Sequence, residues 1–361
     1  MPEPSRTRPL EIAVMGAGLI GRRHIEGVLA EPRTQLAAVI DPSPAARDEA
    51  HANGFTWFAS LAEALAKGNP DSWPDGIIVA TPNQLHVANA AEVIAAGIPV
   101  LIEKPIADDA EAAAGLVTAA GRAGVPVLVG HHRRHNPVIG EAKRIIDSGR
   151  LGRILAVHGS FWVAKPDDYF NVQWRREPGA GPTFINLIHD VDLFRYLLGD
   201  VESVHAMESS TARGHQVEDT AVVLLRFESG ALATLSASDA VPSPWSWEMT
   251  SGENPGFPQQ DQFCYQIGGT EASLSIPQLA LWRNALRPDW REPLQEERLA
   301  VTPADPLTLQ LQHFCDVIEG TATPLVSGHE GLATLEVIEA IKQSARSGKT
   351  VFPKKAAGSH Q

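Results

Sequence analysis

Ile12-Ala13-Val14-Met15-Gly16-Ala17-Gly18-Leu19-Ile20-Gly21 joins a short apolar run to a G-x-G-x-x-G turn, and a helical pattern starts inside it. A run of this length reads as a buried strand, and a strand that turns through such glycines into a helix is the fingerprint of a dinucleotide-binding βαβ unit. Gly16 permits the tight turn, Gly18 lets the backbone approach a diphosphate, and Gly21 lets the helix lie close on the strand. The amides of Leu19 and Ile20, at the helix start, then face the phosphates.

The next strand pattern, Leu36 to Ile40, ends at Asp41. This is about 20 residues beyond the last fingerprint glycine, where a carboxylate bonds the hydroxyls of the adenosine ribose. A carboxylate there repels a 2′-phosphate, and Pro42 and Ser43 bring no arginine beside it. The expected cofactor is therefore NAD rather than NADP. The plainer role for Asp41 is to cap a helix starting near Pro44.

Further apolar runs at Ile77 to Ala80, Val100 to Ile102 and Val127 to Val129 alternate with Ala-rich helical stretches such as Ala88 to Ala96 and Ala110 to Ala123, closed by Gly97 and Gly124. The alternation predicts an α/β fold, with a Rossmann doubly wound parallel sheet over residues 1–130. At 361 residues, with about 150 expected per domain, a second domain follows over 131–361. Asn136-Pro137 starts a helix running to Ser148-Gly149, after which longer alternating strands take over at Ile154 to Val163, Val201 to Glu208, Thr220 to Phe227, Ala231 to Ser238 and Phe263 to Ile267. They predict an α+β domain with a large, mostly antiparallel open sheet, in which Glu228-Ser229-Gly230 turns a hairpin. Val241 to Gln262, with Pro242, Pro244, Pro255 and Pro258 around Trp245 and Trp247, reads as a surface loop, or as a lid or subunit contact using the tryptophans.

Composition excludes several classes. The formal charge is −13 and basic residues cluster only as pairs such as Arg22-Arg23, so nucleic acid is not an expected partner. No apolar run approaches bilayer length and Met1 to Arg6 lacks an apolar signal core, which predicts a cytoplasmic protein with no membrane partner. Cys264 and Cys315 are too few for a disulfide framework and read as buried thiols. His131, His132 and His135 with His189 invite a zinc reading, but no ligand spacing on a helix supports it, and no metal is expected.

Two positions carry candidate chemistry. Glu103-Lys104-Pro105 directly follows a strand pattern and puts an ammonium at its carboxyl end, where open α/β sheets bind ligands. Oxidising an alcohol removes the hydroxyl proton as hydride leaves carbon, so a cation such as Lys104 at the oxygen stabilises developing alkoxide. His189 lies in a helix predicted to start near Pro182 and to end at Gly199, and histidine suits proton transfer near neutral pH. Asn186 and Asp192 lie three residues to either side of it, so one helical face converges on a pocket.

The fingerprint followed by Arg22-Arg23-His24, Ala80-Thr81-Pro82-Asn83-Gln84-Leu85-His86, Glu103-Lys104-Pro105, Trp174-Arg175, Gly179 to Gly181 and the His189 helix resembles the glucose-fructose oxidoreductase / inositol dehydrogenase / rhizopine-catabolism family of NAD(P)-dependent oxidoreductases. The resemblance implies assembly through the open sheet as a homodimer or homotetramer. It implies Thr81, Asn83 and His86 at the ribose and diphosphate edge of the cofactor, Glu103 at its nicotinamide side, Lys104 at the substrate hydroxyl and His189 as general base, with a cis peptide before Pro105. His132 and Arg133 are expected to touch substrate or nicotinamide, and Arg175 to close on a polar substrate or to form an interdomain salt bridge. The chain departs from the family pattern at Ile185, where relatives carry Asp or Asn four residues before the histidine. Asn186 then takes over substrate anchoring in preference to Asp190, which points away around the helix. The implied activity is oxidation of a secondary hydroxyl of a sugar, inositol or related cyclic polyol. The alternatives are dehydrogenation of a cis-dihydrodiol of an aromatic acid held by Arg133 or Arg175, redox-assisted glycoside cleavage, and a non-catalytic NAD-binding regulator.

Overall fold

Each aliphatic run of the first third becomes a strand of one parallel sheet in the computed structural model, which describes residues 8–67, 73–177 and 179–354. The leader reading at Met1 to Arg6 falls outside them. β1 (Leu10–Met15), β2 (Thr34–Ile40), β3 (Trp57–Phe58), β4 (Gly76–Val79), β5 (Val100–Ile102) and β6 (Val127–Val129) lie in the order β3-β2-β1-β4-β5-β6. Ile12, Val14, Ile77, Val79, Val100 and Ile102 are fully buried, as strands covered by helices on both faces require. Those helices are α1 (Leu19–Ala30), α2 (Pro44–Ala52), α3 (Leu61–Lys67), α4 (His86–Ala95) and α5 (Ala110–Ala123). The strand order reverses between β1 and β4, and the crevice at such a reversal is where this architecture takes ligands.

The second sheet has eight strands: β7 (Ile154–Trp162), β8 (Val201–Ser209), β9 (Thr220–Phe227), β10 (Leu232–Ser238), β11 (Tyr265–Gly269), β12 (Ser273–Ile276), β13 (Ala280–Asn284) and β14 (Leu294–Arg298). Their order is β14-β13-β12-β11-β7-β10-β9-β8; β7 pairs with β10 in parallel, and the other neighbours are antiparallel. β12 to β14 are short or polar, and their signal is too weak to read from sequence. In β9 burial alternates strictly, so Val223 and Leu225 join the core while Val222 and Leu224 stay half-exposed. The helices of this part are α6 (Pro137–Asp147), α7 (Pro182–Ile185), α8 (Leu187–Leu198) and the short α9 (Trp247–Thr250). Gly159 in β7 makes room for α8, since a Cβ there would stand 2.8 Å from the Phe194 ring.

One expectation changes here. The single helix expected from Pro182 to Gly199 is broken at Asn186, which separates α7 from α8. The interval Val241 to Gln262 is largely exposed, as a surface loop, and is anchored at α9: Trp247 is 1% exposed and stacks on Tyr265, and Trp245 packs edge-on to Trp162. Trp247 is buried outright, while Trp245 stays 41% exposed and rests on the Trp162 edge, so Trp247 is the stronger pin.

The chain divides into two compact units, residues 1–132 with 306–335 and residues 133–305 with 336–355. The returning segment, assigned with 131–361 on sequence, thus belongs to the unit of the parallel sheet. Its helix α10 (Pro306–Ile318) packs Leu311, Phe314 and Cys315 into the core formed by Leu10, Ile12 and Val28. Gly76 leaves the room, because a Cβ on it would stand 2.6 Å from the Ile318 side chain and 2.9 Å from the Phe314 ring. Arg33 adds an ion pair to Asp316 at 2.6 Å. The last helix, α11 (Gly328–Ser347), begins in this unit with Gly331 against Val129 and passes into the second. No helix among the described residues is long and apolar enough to cross a membrane.

Phe314→Ala empties a buried ring site at the base of β4 and is expected to lower the stability of the first unit by about 3–5 kcal/mol in chemical denaturation.

Candidate active site

The cofactor cradle is built by backbone meeting backbone. Gly16 has φ +95°, and a Cβ there would stand 2.6 Å from the Ala80 carbonyl oxygen, while one on Gly21 would overlap the Gly16 oxygen at 2.0 Å. Gly18, by contrast, has nothing within 4 Å of where its Cβ would be, so the space above it is open to a ligand. It caps α1 without a side-chain bond, and the first-turn amides of Leu19, Ile20 and Gly21 have no intrahelical carbonyl to bond. These are the groups a diphosphate needs. Asp41 accepts the Ala17 amide at 2.9 Å and the Ser43 amide at 2.8 Å. Burial works against its charge, but these bonds hold its carboxyl below the ordinary range. Ser43, not Asp41, caps α2. The residues present therefore fit NAD: glycine turn and helix start for the diphosphate, Asp41 for the adenosine ribose.

At the carboxyl end of β4, Thr81 and the turn from Asn83 to Leu85 edge the same crevice. His86 faces inward at 1% exposure, with Nδ1 2.7 Å from the Pro105 carbonyl and Nε2 2.8 Å from the Thr81 carbonyl. It ties two crevice loops together, a supporting place rather than a cofactor-facing one. Glu103 is likewise turned inward, 6% exposed; His24 donates to its Oε1 at 2.8 Å and the Lys104 amide to Oε2 at 3.1 Å. Burial raises its pKa, but the His24 bond and the charges of His24, His132 and Lys104 outweigh that and bring it down to about 2. Gly130 leaves space for this carboxylate. Lys104 follows β5 half-buried, joined to Pro105 by the expected cis peptide. His24 is a supporting residue the sequence reading missed, although it directly follows the fingerprint helix start.

In the second unit, His189 is 7% exposed on α8, and its amide donates to the Asn186 carbonyl at 3.0 Å. Asp192 turns elsewhere and forms a buried two-bond pair with Arg134, at 2.9 and 2.7 Å. Asp190 also leaves the His189 face, as its helical position predicts, and accepts the Tyr265 hydroxyl. Burial, with the nearby Glu248 charge, raises its pKa to about 7 against the opposing pull of Arg133 and Tyr265. Arg133 is 5% exposed, 2.5 Å from Glu248 and 5.8 Å over the Trp247 ring. Its Nη2 is thus engaged inside this unit, while Nε and Nη1 have no hydrogen-bond partner among the described residues. Arg175 lies 4.0 Å over the Tyr169 ring and donates to the Tyr169 carbonyl at 2.8 Å, with no carboxylate partner among the described residues. The start of α7 is held by Glu218, which accepts the Thr183 amide at 3.1 Å and a bond from Lys342 at 2.7 Å.

The residue sequence reading overlooked most clearly is Lys165, which donates to Asn186 Oδ1 at 3.0 Å. Burial lowers its pKa, Asp239 and Glu248 counteract, and Arg213 adds to the lowering. A signal existed: Lys165-Pro166 follows β7 much as Lys104-Pro105 follows β5. Among the described residues no group of three or more His, Cys, Asp or Glu side chains is placed to hold a metal ion.

Comparison with known proteins agrees with the fold and with NAD as cofactor. Residues 10–131 match the profile described as an oxidoreductase family with an NAD-binding Rossmann fold, and residues 139–275 match the GFO/IDH/MocA C-terminal domain. The 1,5-anhydro-D-fructose reductase of Ensifer adhaerens is 28% identical over 93% of this chain and 96% of its own length. Inositol 2-dehydrogenase 2 of Saccharopolyspora erythraea is 33% identical over 62% of this chain and 65% of its own. The WlbA dehydrogenase of Bordetella pertussis, whose crystal structure is a complex with NADH and UDP-GlcNAcA, superposes with a TM-score of 0.76 at 29% identity, covering 96% of this chain and 99% of that one.

Asp41→Ala is expected to shift the NADPH-to-NADH affinity ratio by about tenfold toward NADPH in fluorescence titration, a change of about 1.4 kcal/mol. Because the folded pKa of Glu103 lies below its ordinary value of 4.5, the stabilisation is complete above that value and is lost as pH falls toward about 2. Glu103→Gln is expected to lose roughly 3 kcal/mol at neutral pH and to flatten the stability profile in that acid window, read by denaturation at a series of pH values.

Proposed function

The chain belongs to the GFO/IDH/MocA family of oxidoreductases, and from that premise we propose that it is an NAD-dependent dehydrogenase oxidising a secondary hydroxyl of a sugar, inositol or related cyclic polyol. The observation that carries the proposal is the carboxyl edge of the parallel sheet, where the open Gly18 turn, Asp41 and Lys104 follow neighbouring or next-neighbouring strands. Bound NAD supplies the acceptor for the hydride. Lys104 directs its ammonium at the substrate hydroxyl and stabilises the charge that grows on oxygen as the proton leaves. His189 takes that proton, a role open to an imidazole near neutral pH. Glu103, held by His24, fixes the backbone from which Lys104 projects.

Asn186 anchors a neighbouring substrate oxygen. The aromatic-acid reading keeps Arg133 and Arg175 as its candidates: Arg133 gives Nη2 to Glu248 but has no hydrogen-bond partner at Nε and Nη1 among the described residues, and Arg175 has no carboxylate partner among them. The protein works as a homodimer or homotetramer, with the half-exposed apolar face at Val222, Leu224 and Leu232 covered by a second copy. A cytoplasmic setting suits its two buried free cysteines.

Lys104→Ala is expected to lower kcat by about 100-fold or more on the best substrate of a polyol, sugar and dihydrodiol screen, with NADH affinity within about threefold; unchanged turnover would refute the mechanism. Leu224→Asp is expected to shift the scattering mass toward that of a single chain, and an unchanged mass would place the interface elsewhere.

A further inference from the structure

After β7 the chain runs Val163-Ala164-Lys165-Pro166, and its backbone is held from several directions. The Val163 amide donates to Ser238 and the Lys165 amide to Asp239, at 3.0 and 2.8 Å, while Arg213 donates to the Lys165 carbonyl at 2.7 Å. The side chain that this fixed root projects is 11% exposed. Its Nζ donates to Asn186 Oδ1 at 3.0 Å, stands 3.7 Å from Asp239 Oδ2 and lies 5.0 Å over the Tyr169 ring. Asp239 is in turn bonded by Arg213 Nε at 2.9 Å, so it does not neutralise Lys165 alone.

An ammonium can only donate. The amide atom of Asn186 that faces it must therefore be oxygen, since the reversed amide would set donor against donor. Charge, not shape, makes this choice, because the two orientations fill the same space. It turns the Asn186 NH2 group away from Lys165, and no protein acceptor among the described residues meets it. Asn186 is itself fixed at the break between α7 and α8, with φ −108° and ψ −55°, and its carbonyl receives the His189 amide. The donor pair is thus held at the end of the helix that carries His189.

We infer that Lys165 is a positioning residue that sets the polarity of Asn186, so that the substrate meets a hydrogen-bond donor there and must present an acceptor oxygen. This rests on the proposed reading of Asn186 as a substrate anchor. The matching substrate group is a carbonyl, ether or carboxylate oxygen, or a hydroxyl using its lone pair.

The test uses the full chain with NAD and the best-turned-over member of a panel of inositols, aldoses and hexuronates. Asn186→Ala is expected to raise KM by about tenfold, and Lys165→Met by about fivefold, with kcat changed less than KM. Lys165→Arg, another obligatory donor, restores KM to within about twofold. Asn186→Asp keeps the Lys165 contact but presents oxygen where NH2 stood, and raises KM more than Asn186→Ala does. Combining Lys165→Met with Asn186→Ala adds nothing to the Asn186→Ala effect. An unchanged KM in Asn186→Ala refutes the anchoring role and the inference with it. A raised KM in Asn186→Ala with multiplying effects in the double variant, or no rescue by Lys165→Arg, overturns the inference alone. Neutron diffraction from the unmutated protein reads the amide directly and needs no substrate: oxygen toward a triply deuterated Lys165 supports the inference, and nitrogen toward it overturns it.

Discussion

The cofactor edge depends on a contact of bare backbone at Gly16, which sits in the left-handed region against the Ala80 carbonyl while Gly21 lies on the Gly16 oxygen. Any side chain at either position would push β1 away from β4 or lift α1 off the sheet. The first-turn amides of α1 and the carboxylate of Asp41 reach the same crevice only because that packing holds, and Asp41 reinforces it by accepting the Ala17 amide. The positive end of a helix and the strand order reversal therefore come together at one edge for steric reasons before any ligand is considered.

Around that edge, buried charges act as fasteners. Glu103 is nearly inaccessible and remains ionised because His24 and the Lys104 amide replace the water it has lost. The second unit repeats the principle with Arg134 and Asp192. Buried pairs of this kind contribute little net stability relative to apolar packing, but losing one partner leaves a charge stranded. That asymmetry makes them good at fixing the direction of a loop or helix. Here they fix the strand end that carries Lys104 and the helix that carries His189.

Local periodicity made much of the architecture legible. Val100–Ile102, Val127–Val129 and Thr220–Phe227 are strands at the residues expected, and Asn136 caps α6 as its side chain suggested. The strands β12 to β14 were missed because they are short and sit toward a charged edge, where alternation is weak. The break at Asn186 was missed because the apolar pattern runs smoothly through it, and only the dihedrals and the Lys165 bond single that residue out.

By itself the sequence determined the parallel sheet, the glycine turn, the carboxylate at Asp41 and the place of Lys104 after β5, because each is encoded over a few residues by spacing, sterics and charge. Tertiary structure decided which polar groups remain available to a ligand. Glu248, 115 residues further along the chain, engages Nη2 of Arg133 and leaves its Nε and Nη1 without a hydrogen-bond partner among the described residues, Asp192 is taken by Arg134, and Asn186 has its amide oriented by Lys165. It also assigned Phe314 to the core of the first unit. Such pairings follow from how distant segments close on one another under desolvation, and no local period records the partner that a buried charge will find.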